Sequence, residues 1–120
     1  MSDTPALLIV DDNLPFRMLL RGFLVKGGYR VFEAENGEQA MQLLAQHSFD
    51  LVLLDLQMQP VGGFEFMPQF VQQGYKMPVL LVTADPSTDI LERATKLGFA
   101  AVVKKPIIEE RILHIVKRFA

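Results

Sequence analysis

The chain is predicted to be an α/β protein, a parallel sheet with helices on both faces. Five short runs suited to buried strands occur near Leu7 to Val10, Arg30 to Ala34, Leu51 to Asp55, Pro78 to Thr83 and Ala101 to Lys104. The segments between them carry apolar residues at helical spacing, and connections of a few residues join the two kinds of element. Successive βα units of this length give a parallel sheet covered by helices, with right-handed crossovers. The chain has 120 residues, half of them hydrophobic and 22% charged, which suits one domain around one core over residues 1–120.

Each helix has a start, an inner face and a stop. In the first, Phe16, Leu19, Leu20, Phe23 and Leu24 share one face. Asn13 is placed to cap it, Pro15 is tolerated in its first turn, and Gly27-Gly28 ends it. Asn36 precedes the second, which turns Ala40, Leu43 and Leu44 inward. The third carries Met67, Phe70 and Val71 and stops at Gly74, with Pro68 expected in the first turn or at a kink. Ser87 caps the fourth, with Ile90, Leu91, Ala94 and Leu97 inward and Gly98 at its end. The last places Ile108, Ile112, Ile115, Val116 and Phe119 on one side, and Lys117 and Arg118 suit its C-terminal dipole. The other phenylalanines and methionines at helical spacing read as core, and the isolated His47 and His114 make no metal site.

Composition narrows the function classes. A net charge of −2 supplies no global field for nucleic acid. No window of about 18 apolar residues spans a membrane, and Met1 to Pro5 lacks the basic flank and apolar centre of a signal peptide. The absence of cysteine excludes disulfides and thiolate metal sites, and a cytoplasmic location fits this set.

The chemistry gathers where strands end. Leu7-Leu8-Ile9-Val10 runs into Asp11-Asp12, Leu51-Val52-Leu53-Leu54 into Asp55, and the fourth and fifth strands into Thr83 and Lys105. Open parallel sheets hold ligands in the crevice at these carboxyl ends. Three acids that close repel, and relief comes from raised pKa values or from a bound cation. Carboxylate oxygens with water suit Mg²⁺, which completes its octahedron with a phosphate. A carboxylate beside such a metal can attack phosphorus, because aspartyl phosphates are an established covalent form. Phosphoryl transfer then needs in-line positioning and partners for the equatorial oxygens. Lys105 can neutralise one oxygen, and the Thr83 hydroxyl and Ala84 N–H can donate to another. Lys104 is the rival lysine. Side chains alternate along a strand, so the two cannot both reach the site, and the residue before proline is the expected one.

Four motifs in this order, each closing a strand, carry a resemblance that covers essentially the whole chain. They are Ile9-Val10-Asp11-Asp12-Asn13, Leu53-Leu54-Asp55-Leu56-Gln57-Met58, Val82-Thr83-Ala84 and Val103-Lys104-Lys105-Pro106. The chain resembles the receiver domains of two-component response regulators. The resemblance implies a flavodoxin-like three-layer sandwich whose five strands lie in the order 2-1-3-4-5, an order that comes with the family and not from the residues. It implies Asp55 as phosphoacceptor, with a phosphoryl group taken from a histidine kinase or histidine phosphotransfer protein in a Mg²⁺-dependent reaction. Asp12 would ligate the metal directly, Asp11 largely through water, and Gln57 through its backbone carbonyl. Thr83 would sense the phosphoryl group, Lys105 would pair with it, and the Lys105–Pro106 peptide would be cis, which an X–Pro bond permits. Gln57 and Asp85 would tune how quickly water attacks the aspartyl phosphate. The surface of the fourth helix, fifth strand and fifth helix would report the state to an unidentified protein or effector domain.

The sequence also departs from the family's pattern. Val102 stands where receivers usually carry an inward-turning Tyr or Phe, and valine is stiff with no ring to swing. Gln59 replaces the proline that commonly follows the methionine, with Pro60 one position later. The fifth strand lacks the acidic-acidic-aromatic pattern of receivers that dimerise with DNA-binding effectors. Three rival readings exist. A haloacid-dehalogenase-like phosphatase needs Asp-x-Asp, and Asp55-Leu56-Gln57 has no second acid. An FMN carrier needs a phosphate loop that Asp11-Asp12 would repel. A pseudo-receiver, a phosphorylation-independent binding module, is disfavoured by the complete set of site residues but left open by Val102.

Overall fold

A computed structural model describes residues 4–58 and 62–120. Its elements follow the βα alternation: β1 (Ala6–Val10), α1 (Leu14–Lys26), β2 (Arg30–Ala34), α2 (Gly37–Gln46), β3 (Leu51–Asp55), α3 (Gly63–Gln72), β4 (Val79–Thr83), α4 (Thr88–Leu97), β5 (Ala101–Lys104) and α5 (Glu109–Phe119). The strands form one parallel sheet in the order β2-β1-β3-β4-β5, the flavodoxin-like order that the family resemblance implied. Gln59 and Pro60 lie outside the described residues.

Strand alternation divides the core in two. Leu8, Val10, Val52, Leu54, Val79 and Leu81 point to the side covered by α2, α3 and α4, where they meet Ala40, Leu44, Phe66, Phe70 and Ala94. Leu7, Ile9, Leu51, Leu53, Leu80 and Val82 point to the other side, against Leu20 and Leu24 of α1 and Ile112 and Val116 of α5. Because β1, β3 and β4 are covered on both faces, they are continuous apolar runs without a polar alternation.

The caps follow the expected chemistry. The Asn13, Asn36 and Ser87 side chains accept from the N–H groups of Phe16, Gln39 and Ile90, and Pro15 lies in the first turn of α1. Gly98 closes α4 with a left-handed φ of 96°, a conformation glycine adopts without a Cβ penalty.

Several apolar residues expected inside are not. Leu19, Val71, Leu91, Ile108 and Met18 are exposed. Each of the first three lies one residue, about 100° of helix, from a buried or half-buried neighbour (Leu20, Phe70, Ile90). A helix lying on a sheet buries a narrower arc than the sequence offers. Met18 lies on that outer side of α1, and Ile108 is extended chain before α5, outside its helical stripe. Pro68 sits in the second turn of α3 and not the first, on the exposed side, and the helix continues through it to Gln72.

The start of α3 is pressed against the end of β3. A Cβ on Gly63 would stand 2.7 Å from the Asp55 carbonyl oxygen and 3.1 Å from Leu56 Cα, both backbone atoms. Around Gly22, within α1, nothing beyond its chain neighbours and the surrounding helix backbone lies within 4 Å of the added carbon. Urea denaturation should therefore show Gly63→Ala destabilised on the order of 1–3 kcal/mol. Gly22→Ala should be stabilised by about 0.5–1 kcal/mol.

Candidate functional site: an acidic cleft at the strand ends

The pairing of β1 with β3 aligns Val10 with Leu54, so the next residues, Asp11 and Asp55, emerge side by side. Both are buried, at 1% and 6% exposure, whereas Asp12 is exposed at the mouth. One oxygen from each of the three carboxylates fits within 4.8 Å of the others. Asp11 is held from its own turn, since its Oδ1 accepts the Asn13 N–H at 2.8 Å.

Lys105 reaches this cluster and Lys104 does not. The Lys105 ammonium lies 3.2 Å from Asp55 Oδ1 and 3.4 Å from Asp11 Oδ2. It also sits 4.1 Å from the centre of the Phe16 ring, a cation–π position. Lys104, opposite Thr83 in the sheet register, is exposed. The Lys105–Pro106 peptide is cis, as the resemblance implied.

Thr83 closes the far side. It is buried, and its Oγ1 accepts the Asp85 N–H at 3.1 Å, which ties the strand end to the loop before α4. Asp11, Asp12, Asn13, Asp55, Gln57, Thr83, Ala84 and Lys105 line a cleft of about 200 Å³. All the residues expected from the strand ends are therefore brought together. Val102 does not line this cleft; it is half-buried against the α2–α4 side of the core and lines a cavity between β5 and α5.

The electrostatics follow from the geometry. Burial pushes the Asp55 carboxyl up to about 6; the Asp11 charge adds to this, Lys105 opposes it, and Asp12 contributes a smaller rise. Three carboxylates facing one ammonium leave an excess of negative charge. An all-oxygen donor set without thiolate or imidazole selects a hard cation, and a mouth lined by an exposed carboxylate leaves it access to water and phosphate.

Two residues of α1 escaped the sequence reading as parts of the site. Phe16, taken as core, is half-buried with its ring against Lys105. Arg17 is buried in α1, where its Nη1 donates to the Asp11 carbonyl at 2.7 Å and its Nε to Glu33 at 3.0 Å. The signal available was positional: Arg17, Leu20 and Leu24 share the i, i+3, i+7 stripe, and β2 carries Glu33, with Glu35 just past its end.

The response regulator receiver family model matches residues 7–117. The chain belongs to the receiver domain family. It is 32% identical over 113 residues to sporulation initiation phosphotransferase F of Bacillus subtilis, covering 94% of this chain and 91% of that protein. It is 37% identical over 108 residues to a response regulator receiver protein of Anaeromyxobacter, covering 90% of this chain but only 45% of that protein. The chain therefore spans less than half of that relative's length and nearly all of the Bacillus protein's. Chemotaxis protein CheY4 of Vibrio cholerae superposes with a TM-score of 0.92 at 28% identity, covering 98% of this chain and 99% of that one. The chain is thus a receiver domain of two-component signal transduction, a signalling domain. Receiver domains bind Mg²⁺ at an acidic pocket, and this receiver has an acidic cluster of that kind. No helix among the described residues is long and apolar enough to cross a membrane.

The raised pKa of Asp55 has a thermodynamic consequence. Its folded value of about 6 exceeds the unfolded value, ~3.9 for an ordinary aspartate, so between the two the folded state binds more protons. Stability therefore rises as pH falls through this window. In EDTA, wild type should gain on the order of 1 kcal/mol relative to Asp55→Asn between pH 7 and pH 5, read from urea melts.

Proposed function

We propose that Asp55 is the phosphoacceptor of this receiver, that Asp11, Asp12, Asp55 and the Gln57 carbonyl hold Mg²⁺, and that Thr83, Ala84 and Lys105 bind the phosphoryl group. The observation that carries this reading is the placement of a buried Asp55 carboxylate 3.2 Å from the Lys105 ammonium, with Asp11 and Asp12 oxygens within 4.8 Å. The donor is a phosphohistidine on a histidine kinase or histidine phosphotransfer protein. The reading takes residues 1–120 as one receiver unit acting in the cytoplasm, without direct contact to nucleic acid.

An Asp55 carboxylate oxygen attacks phosphorus while the bond from phosphorus to the donor imidazole nitrogen breaks, and that nitrogen keeps the electron pair. Bound Mg²⁺ would offset the mutual repulsion of the carboxylates and neutralise charge on the transferred group. Lys105, already paired with Asp55, moves its ammonium to a phosphoryl oxygen. The Thr83 hydroxyl accepts from Asp85 N–H and keeps its own proton to donate, and the Ala84 N–H supplies a further donor. Attack of water on phosphorus then releases inorganic phosphate and restores the carboxylate; Gln57 and Asp85, flanking the cleft, govern its approach.

The new charge and oxygens bias the loop. Phosphorylation adds roughly 1.5–2 negative charges. Drawing Thr83 toward them competes with its bond to Asp85 and shifts Ala84 to Ser87 and then α4, which presents the α4-β5-α5 surface to a downstream protein or effector domain. With valine at position 102, no ring follows the threonine, and the loop itself carries the change. The complete acceptor set favours this reading over a phosphorylation-independent binding module.

Incubation with Mg²⁺ and a small-molecule phosphodonor should add one phosphoryl group to wild type and none to Asp55→Asn, read by intact mass. Equal uptake by Asp55→Asn would overturn the assignment.

A further inference from the structure

Arg17 is a buried charge that the phosphotransfer reading leaves unused. An apolar residue there would extend the Leu20–Leu24 stripe without the cost of desolvating an ion. The guanidinium instead spans two elements. Its Nη1 donates to the Asp11 carbonyl at 2.7 Å, and its Nε to Glu33 Oε1 on β2 at 3.0 Å. Glu33 is held in turn by Arg21 at 3.1 Å through its other oxygen.

The Asp11 carbonyl lies just past β1, in the turn from which Asp11 and Asp12 project. The Asp11 N–H is fixed by the Ala34 carbonyl at 3.1 Å, and the Asp11 side chain by the Asn13 N–H at 2.8 Å. Lys105 reaches the other carboxylate oxygen at 3.4 Å, so Arg17 supplies the anchor of the remaining polar group, the carbonyl, and that anchor is charge-assisted. Its charge faces Glu33, which Arg21 shares, and Glu35 at 4.0 Å, and the charges that shift Asp55 are those of Asp11, Lys105 and Asp12. Its effect on the site is therefore geometric.

We propose that Arg17 is a positioning residue: by pinning the Asp11 carbonyl it fixes the β1–α1 turn and so sets the affinity of the acidic cleft for Mg²⁺. The inference rests on the magnesium reading above. Partners that orient metal ligands typically matter about 10- to 100-fold in affinity.

Titration of the metal-stripped full chain with Mg²⁺, followed by amide NMR shifts, yields the dissociation constant and, without metal, the hydrogen exchange of the Asp12 and Asn13 amides. Arg17→Met should weaken Mg²⁺ binding about 10- to 100-fold and speed those two amides, Arg17→Lys should recover part of the loss, and Arg21→Ala should stay within about twofold of wild type. A folded Arg17→Met that binds as wild type does would overturn the proposal, as would an Arg21→Ala loss equal to that of Arg17→Met. Should Arg17→Met not fold, Arg17→Lys decides alone, since its ammonium has no rigid fork to hold Asp11 and Glu33 together. A wild type with no response to Mg²⁺ would overturn the magnesium reading itself, a different result from equal binding by wild type and variants.

Discussion

The parallel pairing of β1 with β3 is the constraint on which the site depends. It aligns Val10 with Leu54 and so forces Asp11 and Asp55 together at the sheet's carboxyl edge. Coulomb repulsion and burial oppose that placement, as the rise of Asp55 to about 6 records. A rise of about two units corresponds to roughly 3 kcal/mol. Each fully buried Leu, Ile or Val returns about 1.5–3 kcal/mol, and the two strands carry eight such side chains. Strand pairing wins by a wide margin, and the strain is left at the rim, where a cation and a phosphoryl group can relieve it.

The rest of the rim answers that strain from two directions. From β5, Lys105 brings one positive charge to both buried carboxylates and rests against Phe16. From α1, Arg17 reaches under the turn to the Asp11 backbone and spends its charge on Glu33. One cation is thus available to the incoming group while the other is committed to the scaffold. Phe16 and Arg17 are adjacent in sequence, so the first turns of α1 serve both.

Thr83 links the site to its surroundings. Its hydroxyl is bound to Asp85 N–H, so attraction toward a phosphoryl group has a definite competitor in the loop before α4. Val102 sits on the neighbouring strand beside Leu81, and its side chain packs in the core without a ring that could follow the threonine. On the proposed reading, a phosphoryl contact at Thr83 would act through this loop.

Local chemistry made much of this legible without coordinates. Alternating apolar runs and helical periods specify a parallel α/β sheet, Asn13, Asn36 and Ser87 mark helix starts, and acids closing two strands mark the rim, because each depends on residues near in sequence. Membership of the receiver family rests on motifs the sequence carries in order. What only the tertiary structure decided involves distant partners. Leu19, Val71 and Leu91 face solvent because a helix on a sheet buries a narrow arc. That Arg17 is buried against Asp11 and that the Phe16 ring meets Lys105 depend on the packing of α1 against the strand ends. Sequence lists the groups that can interact, while distance and burial, which set the strength of every such interaction, exist only once the chain has folded.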